Sequence, residues 1–191
     1  MHASQVPQTI GDQMPWYGIT MDDTERLCAL IPEALWTWRP DDPQGHFQAS
    51  LAEIAMHCAD ERHGHAQMLN GGTDNSPLFT LDPGKDGINR FKDGVTKRDV
   101  LESLRAGRGL LDAYASLPSD RLTEVTDGAK AAYERQIASL NEQGIDTTRM
   151  VRRGAPSIFR VLMWVACHEA GHRGTLCTLL RLKGVSLPVD V

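Results

Sequence analysis

Four segments with helical periodicity constrain the fold of this chain more than any other feature. In each of them apolar residues return every three or four positions, which is the spacing of one face of an α-helix. Ser50 with Glu53, and Thr96 with Asp99, have the spacing of capping boxes at the start of two segments. The predicted helices span residues 22–35, 50–69, 97–116 and 156–183, and a shorter segment at 129–143 predicts one more helix.

The order and spacing of these segments predict an all-α four-helix bundle. Residues 70–94 form a long polar connection between the second and third helices, NGGTDNSPLFTLDPGKDGINRFKDG. A crossover of this length reaches along the whole bundle, so the third helix is expected to run parallel to the second. No segment indicates a strand. The length of 191 residues suits one domain, residues 1–191, in which residues 1–20 are an N-terminal extension.

Composition and charge exclude several classes of function. The net charge is −5 and no block of like charges occurs, so a nucleic-acid partner is not expected. No apolar stretch is long enough to span a bilayer, and the N-terminal residues lack the pattern of a secretory signal. Four scattered cysteines are typical of reduced thiols in a cytoplasmic protein: Cys28, Cys58, Cys167 and Cys177.

The sequence HEAGH, from His168 to His172, fits the H-E-x-x-H pattern of zinc metalloproteases. Such a protease needs a third ligand further along the chain, but no histidine follows His172, and Asp190 is the only later carboxylate. The protease interpretation is therefore disfavoured. The two histidines lie one turn apart on an apolar helix face, where hydrogen-bonded core histidines and metal ligands are equally good interpretations.

The second predicted helix supplies the missing ligand. Its inward stripe places His57 and Glu61 one turn apart among apolar neighbours. With His168 and His172, His57 would complete a three-histidine site with room for water, as in catalytic rather than structural zinc centres. The same ligands suit other metals. We therefore expect one divalent transition metal, zinc or nickel in the first place, with iron as a further option.

Two carboxylates near these histidines have competing interpretations. Glu61 is either a fourth ligand, or a partner that orients His57, or a core hydrogen-bonding residue. Glu169 is adjacent to His168 and is a candidate base or acceptor near the metal. The better interpretation of Glu169 is an exposed position or an interhelical ion pair.

Three further residues lie close to the candidate ligands in sequence. Trp164, one turn before His168, is a candidate wall of a substrate pocket, and a packed core position is its alternative. His63 is expected to be exposed on its helix. His65 is either a neighbour of the site or a surface residue.

Two stretches of the chain resemble the DinB-like proteins, a superfamily of metal-binding four-helix bundles that includes bacterial thiol-dependent transferases. They are ALWTWRPDDPQGHFQASLAEIAMHCADE, residues 34–61, and CHEAGHRGTLCTLLRLKGVSLP, residues 167–188. The resemblance implies that the family's metal histidines correspond to His57, His168 and His172. It departs at Thr175, where the family often has Gln.

The resemblance implies a metal-dependent enzyme that acts on small molecules. The expected reaction is transfer of a low-molecular-weight thiol to an electrophile, or hydrolysis of a small amide or thiol conjugate. A non-catalytic, stress-related metal-binding bundle is the alternative, and a purely structural bundle is a third. The resemblance also implies a homodimer, which the aromatic content of the first helix and its loop supports weakly.

Overall fold

The computed structural model describes residues 8–41, 49–72, 78–83, 89–92 and 94–188, and most of these residues are helical. The helices are α1 (Ile10–Gln13), α2 (Pro15–Leu30), α3 (Leu51–Asn70), α4 (Lys97–Ala115), α5 (Asp127–Glu142), α6 (Thr148–Arg153) and α7 (Ile158–Leu182). Short 3-10 turns follow α2 at Glu33–Leu35 and α4 at Ser119–Arg121. The predicted all-α class is confirmed, and α2, α3, α4 and α7 pack against one another as the bundle.

The predicted starts of α3 and α4 are confirmed together with their capping boxes. Ser50 Oγ accepts a hydrogen bond from the Glu53 amide at 3.2 Å, and Glu53 Oε2 accepts one from the Ser50 amide at 2.6 Å. Thr96 and Asp99 make the same reciprocal pair. Each box satisfies two backbone N–H groups that have no partner within the helix, and so fixes where the helix begins.

The predicted bounds of the first helix are wrong. α2 spans Pro15–Leu30, so it begins seven residues before the predicted residue 22 and ends before the predicted residue 35. Asp22 and Asp23, at the predicted start, are of the residue type that caps helices, but they lie inside α2 and pair with Arg108 and Arg173. Proline at the first position starts the helix instead, because its missing N–H has no partner to lose there.

Several short elements of the structure were not predicted from the sequence. α1 and α6 have four and six residues, too few to show a periodic pattern. The expectation of no strand is also wrong, because β1 (Phe79–Pro83) pairs antiparallel with β2 (Asn89–Phe91) in the connection before α4. These strands have five and three residues, so the alternation that identifies a strand has little length over which to appear.

The core consists of two clusters, one toward each end of the bundle. The first includes Leu51 and Val100, from the starts of α3 and α4, together with Leu180 from the end of α7. The second includes Leu69 and Leu111, from the later parts of α3 and α4. These shared ends place α3 and α4 side by side in the same direction, with α7 running the opposite way. Burial of each such side chain contributes about 1.5–3 kcal/mol to the stability of the fold.

Among the described helices, none combines the length and the apolar character that crossing a membrane requires.

Candidate metal centre

Three histidines from two antiparallel helices meet at one edge of the bundle. His57 lies on α3, and His168 and His172 lie one turn apart on α7. His168 Nε2 is 2.8 Å from His57 Nε2 and 2.9 Å from His172 Nε2. One ring nitrogen from each of the three lies within 4.8 Å of the others. The structure therefore brings together all three histidines that the sequence selected as ligands.

The environment of this cluster favours neutral imidazoles. Burial lowers the pKa of His57, with a further lowering from His168 that opposes the raising effect of Glu61. Burial, with the neighbouring His57 and His168, lowers the pKa of His172 to about 4. Both rings are therefore uncharged at neutral pH, and a neutral imidazole has a lone pair free to bind a metal.

The hydrogen-bonding capacity of the cluster also fits a cation. Each ring nitrogen carries either one proton or one lone pair, yet His168 Nε2 faces two other nitrogens at hydrogen-bond distance. Hydrogen bonds alone can satisfy both contacts only if one lone pair accepts two protons or one proton is shared between two lone pairs. Three lone pairs directed at one cation fit the same arrangement without that conflict. Across the described part of the chain, this is the only group of histidine, cysteine, aspartate or glutamate residues whose geometry could hold a metal ion.

Neither nearby cysteine joins the cluster. Cys58, adjacent to His57, is fully buried, and burial raises the pKa of its thiol well above the ordinary value. Cys167, adjacent to His168, is exposed. Neighbouring positions on a helix point about 100° apart, which explains why both thiols face away from the histidines. Asp190, the late carboxylate, lies outside the described residues.

Glu61 lies beside the cluster without being one of its three members. Its charge acts to raise the pKa of both His57 and His172. Its Oε2 atom is 3.4 Å from His65 Nδ1, and its side chain is 26% exposed. A carboxylate in this position is close enough to influence the histidines electrostatically and is also accessible from solvent.

Trp164 on α7 and His65 on α3 contact each other. Trp164 is 53% exposed, so the alternative of a packed core position is wrong. Its ring meets the ring of His65 edge-on at a centroid distance of 5.6 Å. His65 is buried, and its Nδ1 donates to the backbone oxygen of Glu61 at 2.7 Å. His65 therefore connects Glu61 to Trp164.

The expectation that His63 is exposed is wrong. His63 is buried between α3 and α4, where its Nε2 lies 3.1 Å from the backbone oxygen of Ser103. A Cβ atom on Gly107 would lie 2.7 Å from Arg62 Cβ and 3.1 Å from His63 Cδ2, so only glycine allows α4 to come this close. α3 is thus buried on more than the single stripe that its periodicity indicated.

Glu169 lies in the interior and makes the interhelical ion pair that was one of its interpretations. It is fully buried, and its Oε1 and Oε2 accept hydrogen bonds from Arg62 Nε at 2.6 Å and Arg62 Nη2 at 3.0 Å. Both oxygens of the carboxylate are therefore occupied by the guanidinium. Neither is left to face the histidines.

Arg62 is the important residue that the sequence reading missed. It is fully buried, and it also donates to Glu25 Oε1 at 2.7 Å and to the backbone oxygens of Leu104 at 2.8 Å and Met21 at 2.9 Å. Burial acts to lower the pKa of Arg62, but the hydrogen bonds and charges of Glu169 and Glu25 raise it above the ordinary value. Arg62 therefore joins α3 to α2, α4 and α7.

A signal for Arg62 was present in the sequence. It stands in a stripe of small residues with helical spacing that includes Ala55, Ala59 and Ala66, all of them buried. A charge inside such a stripe indicates a buried ion pair, because an unpaired charge is too costly to bury.

A family model described as the DinB superfamily matches residues 18–176, a range that contains all three histidines. No curated protein and no solved structure matches the chain.

Proposed function

Because this chain belongs to the DinB superfamily, we propose that it is a metal-dependent enzyme acting on small molecules. The reaction we propose is transfer of a low-molecular-weight thiol to an electrophile, with hydrolysis of a small amide or thiol conjugate as the related alternative. The observation that carries the proposal is the convergence of His57, His168 and His172 at a half-buried edge of the bundle. Catalytic sites of this kind use three protein ligands and keep a position for substrate or water.

The three imidazoles would hold one divalent transition metal, with zinc or nickel favoured and iron also compatible with an all-nitrogen ligand set. When bound, such an ion supplies Lewis acidity, which lowers the pKa of a coordinated thiol or water so that a nucleophile exists at neutral pH. The buried pair formed by Arg62 and Glu169 would hold α3 against α7 at this level of the bundle. It would thereby keep His57 in place opposite His168.

We assign proton transfer to Glu61. Its electrostatic influence on His57 and His172 supports a role near the reacting atoms, and its exposed fraction would let it exchange protons with solvent. In the transfer reaction Glu61 takes the thiol proton, the sulfur forms a bond to the electrophilic carbon, and the leaving group departs with its electron pair. Glu169, with both oxygens held by Arg62, is assigned a positioning role instead.

Trp164 would form one wall of the substrate site. Its half-exposed ring lies one turn before His168 and contacts His65, which is bonded to Glu61. An aromatic wall of this kind buries the apolar part of a small molecule and keeps water away from the reacting end.

We further propose that the protein is a cytoplasmic homodimer. The scattered cysteines support the location. α2 leaves three large apolar side chains exposed, at Trp16, Ile19 and Leu30, and these would be covered in a dimer. Light scattering at micromolar concentration should give twice the mass of the chain, and a monomer would count against this part of the proposal.

The enzyme assignment is tested by comparing metal-loaded and metal-stripped protein. Each form is assayed with glutathione, bacillithiol, mycothiol or cysteine and the electrophile 1-chloro-2,4-dinitrobenzene, and separately with small amides and thiol conjugates. We expect turnover only in the metal-loaded form and its severe loss in His168→Ala. The metal-loaded form is first shown to contain its full complement of metal. Equal rates in the two forms for every substrate would then favour a non-catalytic metal-binding bundle.

A further inference from the structure

A cavity of about 340 Å³ lies where α5 and α6 meet α7 and the end of α3. Six of the residues that line it are Met68, Tyr133, Met150, Arg153, Arg160 and Trp164. Its volume falls within the range of small-molecule sites, roughly 300–1,000 Å³. Neither the three histidines nor their ligand function involves α5 and α6, so the cavity needs an explanation of its own.

The hydroxyl of Tyr133 is a buried polar group that makes no hydrogen bond to the described residues. Among the described side chains it is the only fully buried nitrogen or oxygen atom without a hydrogen bond. Native proteins rarely leave such a group unpaired, because its lost hydration is not replaced. Its place in the cavity lining suggests that the partner is a ligand that enters the cavity.

Two arginines give the same cavity positive charge. Within the described residues neither Arg153 nor Arg160 pairs with a carboxylate, although most other arginines of the bundle do. Arg160 Nη1 makes a single long contact, 3.4 Å, to the backbone oxygen of Arg153. Guanidinium groups bind carboxylates and phosphates through two parallel hydrogen bonds, so two of them beside a free hydroxyl make an anion site.

The remainder of the lining is apolar and leads toward the histidines. Met68 and Met150 contribute flexible apolar surface, and Trp164 contributes an aromatic face. Trp164 is four residues before His168 on α7, a rise of about 6 Å along the helix. A ligand whose charge is held by the arginines would therefore extend past Trp164 toward the metal centre.

We propose that this cavity binds a small organic oxyanion with an apolar body, and that it is the subsite for the charged end of the enzyme's substrate or thiol. Arg153 and Arg160 bind the oxyanion, Tyr133 donates a hydrogen bond to it, and Trp164 contacts the apolar part. The assignment to substrate rests on the proposed function. The binding of the anion does not, because no metal is needed for it.

The test is isothermal titration calorimetry on the metal-loaded chain with benzoate, 4-phenylbutyrate and phenyl phosphate, each beside its uncharged amide or alcohol. We expect at least one anion to bind at millimolar concentration or below, and its neutral analogue to bind about tenfold more weakly or not at all. Arg153→Gln and Arg160→Gln should each reduce the affinity for the anion by about tenfold, and Tyr133→Phe should reduce it by about threefold.

Arg152→Gln is the matched control, because Arg152 is an exposed neighbour on α6 that does not line the cavity. It should leave affinity unchanged, and every variant should keep the metal content of the parent protein. The proposal is overturned if none of the three anions binds, or if Arg152→Gln weakens binding as much as Arg160→Gln.

Failure of this proposal and failure of the proposed function give different results. Anion binding without turnover supports the assignment of the cavity and contradicts the proposed reaction. If turnover is unaffected by Arg153→Gln, Arg160→Gln and Tyr133→Phe, the proposed reaction is supported and the cavity is not part of the substrate site.

Discussion

Two polar clusters lie on the same pair of helices, α3 and α7, and they differ in their burial and in their hydrogen bonding. His57 and His168 belong to the candidate metal centre at the edge of the bundle, while Arg62 and Glu169 form an ion pair in its interior. Glu169 directly follows His168 in the sequence, and the turn of about 100° per residue sends the two side chains to different environments. The histidine cluster is half-buried and made of imidazoles, and the other cluster is a fully buried pair of opposite charges.

The difference between them lies in how completely their polar groups are satisfied. The guanidinium of Arg62 has partners on α2, α4 and α7, so the interior pair has no remaining need for a ligand. The histidine nitrogens face one another with too few protons and lone pairs to satisfy each contact separately. The first arrangement fixes the positions of the helices, and the second leaves a site to be filled by a cation.

The largest effect that separates the two clusters is expected from Glu169→Ala. The variant leaves the buried charge of Arg62 without its main partner, which should reduce the free energy of unfolding by about 3–5 kcal/mol. His172→Ala in metal-stripped protein should cost far less, because it removes a half-exposed neutral ring. Urea denaturation of both variants checks this comparison, and a similar loss in the two would contradict it.

A smaller effect is expected where α4 packs against α3 next to Arg62. Gly107→Ala would place Cβ 2.7 Å from Arg62 Cβ, so overpacking should destabilise the fold by about 1–3 kcal/mol. Gly109→Ala is the matched control on the same helix, since nothing lies within 4 Å of its Cβ position. The control should be stabilised by up to about 1 kcal/mol through helix propensity. A shift of the thermal unfolding midpoint in the same direction in both variants would contradict the close contact between α4 and α3.

The smallest effect is a pH dependence that belongs to the cluster of three histidines. The folded-state pKa of His172 is lowered from 6.5 to about 4, so the unfolded chain binds more protons in this interval. The stability of metal-stripped protein should therefore be complete above about pH 6.5 and should fall as the pH drops toward 4. Denaturation midpoints across this range should show a weaker decline in His172→Gln. An identical decline in both proteins would assign the effect to other groups.

Periodicity and capping residues were sufficient to predict most of the bundle. α3, α4 and α7 have the predicted positions because their caps and apolar stripes specify the same boundaries. α2 was misplaced because Pro15 starts a helix whose first turns carry no polar cap and whose interior contains the cap-like Asp22 and Asp23. The local signals there competed, and the packing of Tyr17 into the core decides between them.

The candidate site was predictable to the extent that its residues share a helix face. His168 and His172 are fixed by their spacing, and His57 follows from the need for a third ligand. The burial of His63 and Arg62 was not predictable from one stripe, since it depends on the close approach of α4 at Gly107. The exposure of Trp164 likewise depends on α5 and α6, whose positions relative to α7 no periodic pattern specifies.

The most direct test of the central claim is the metal content of protein purified without a histidine tag. Elemental analysis of the unaltered chain should give about one divalent transition metal per chain, as expected for a three-histidine site. His57→Ala should lose nearly all of it, whereas His63→Ala, which removes another buried histidine of α3, should keep it. Metal retained in full by His57→Ala, or lost equally from both variants, would contradict the metal centre described here.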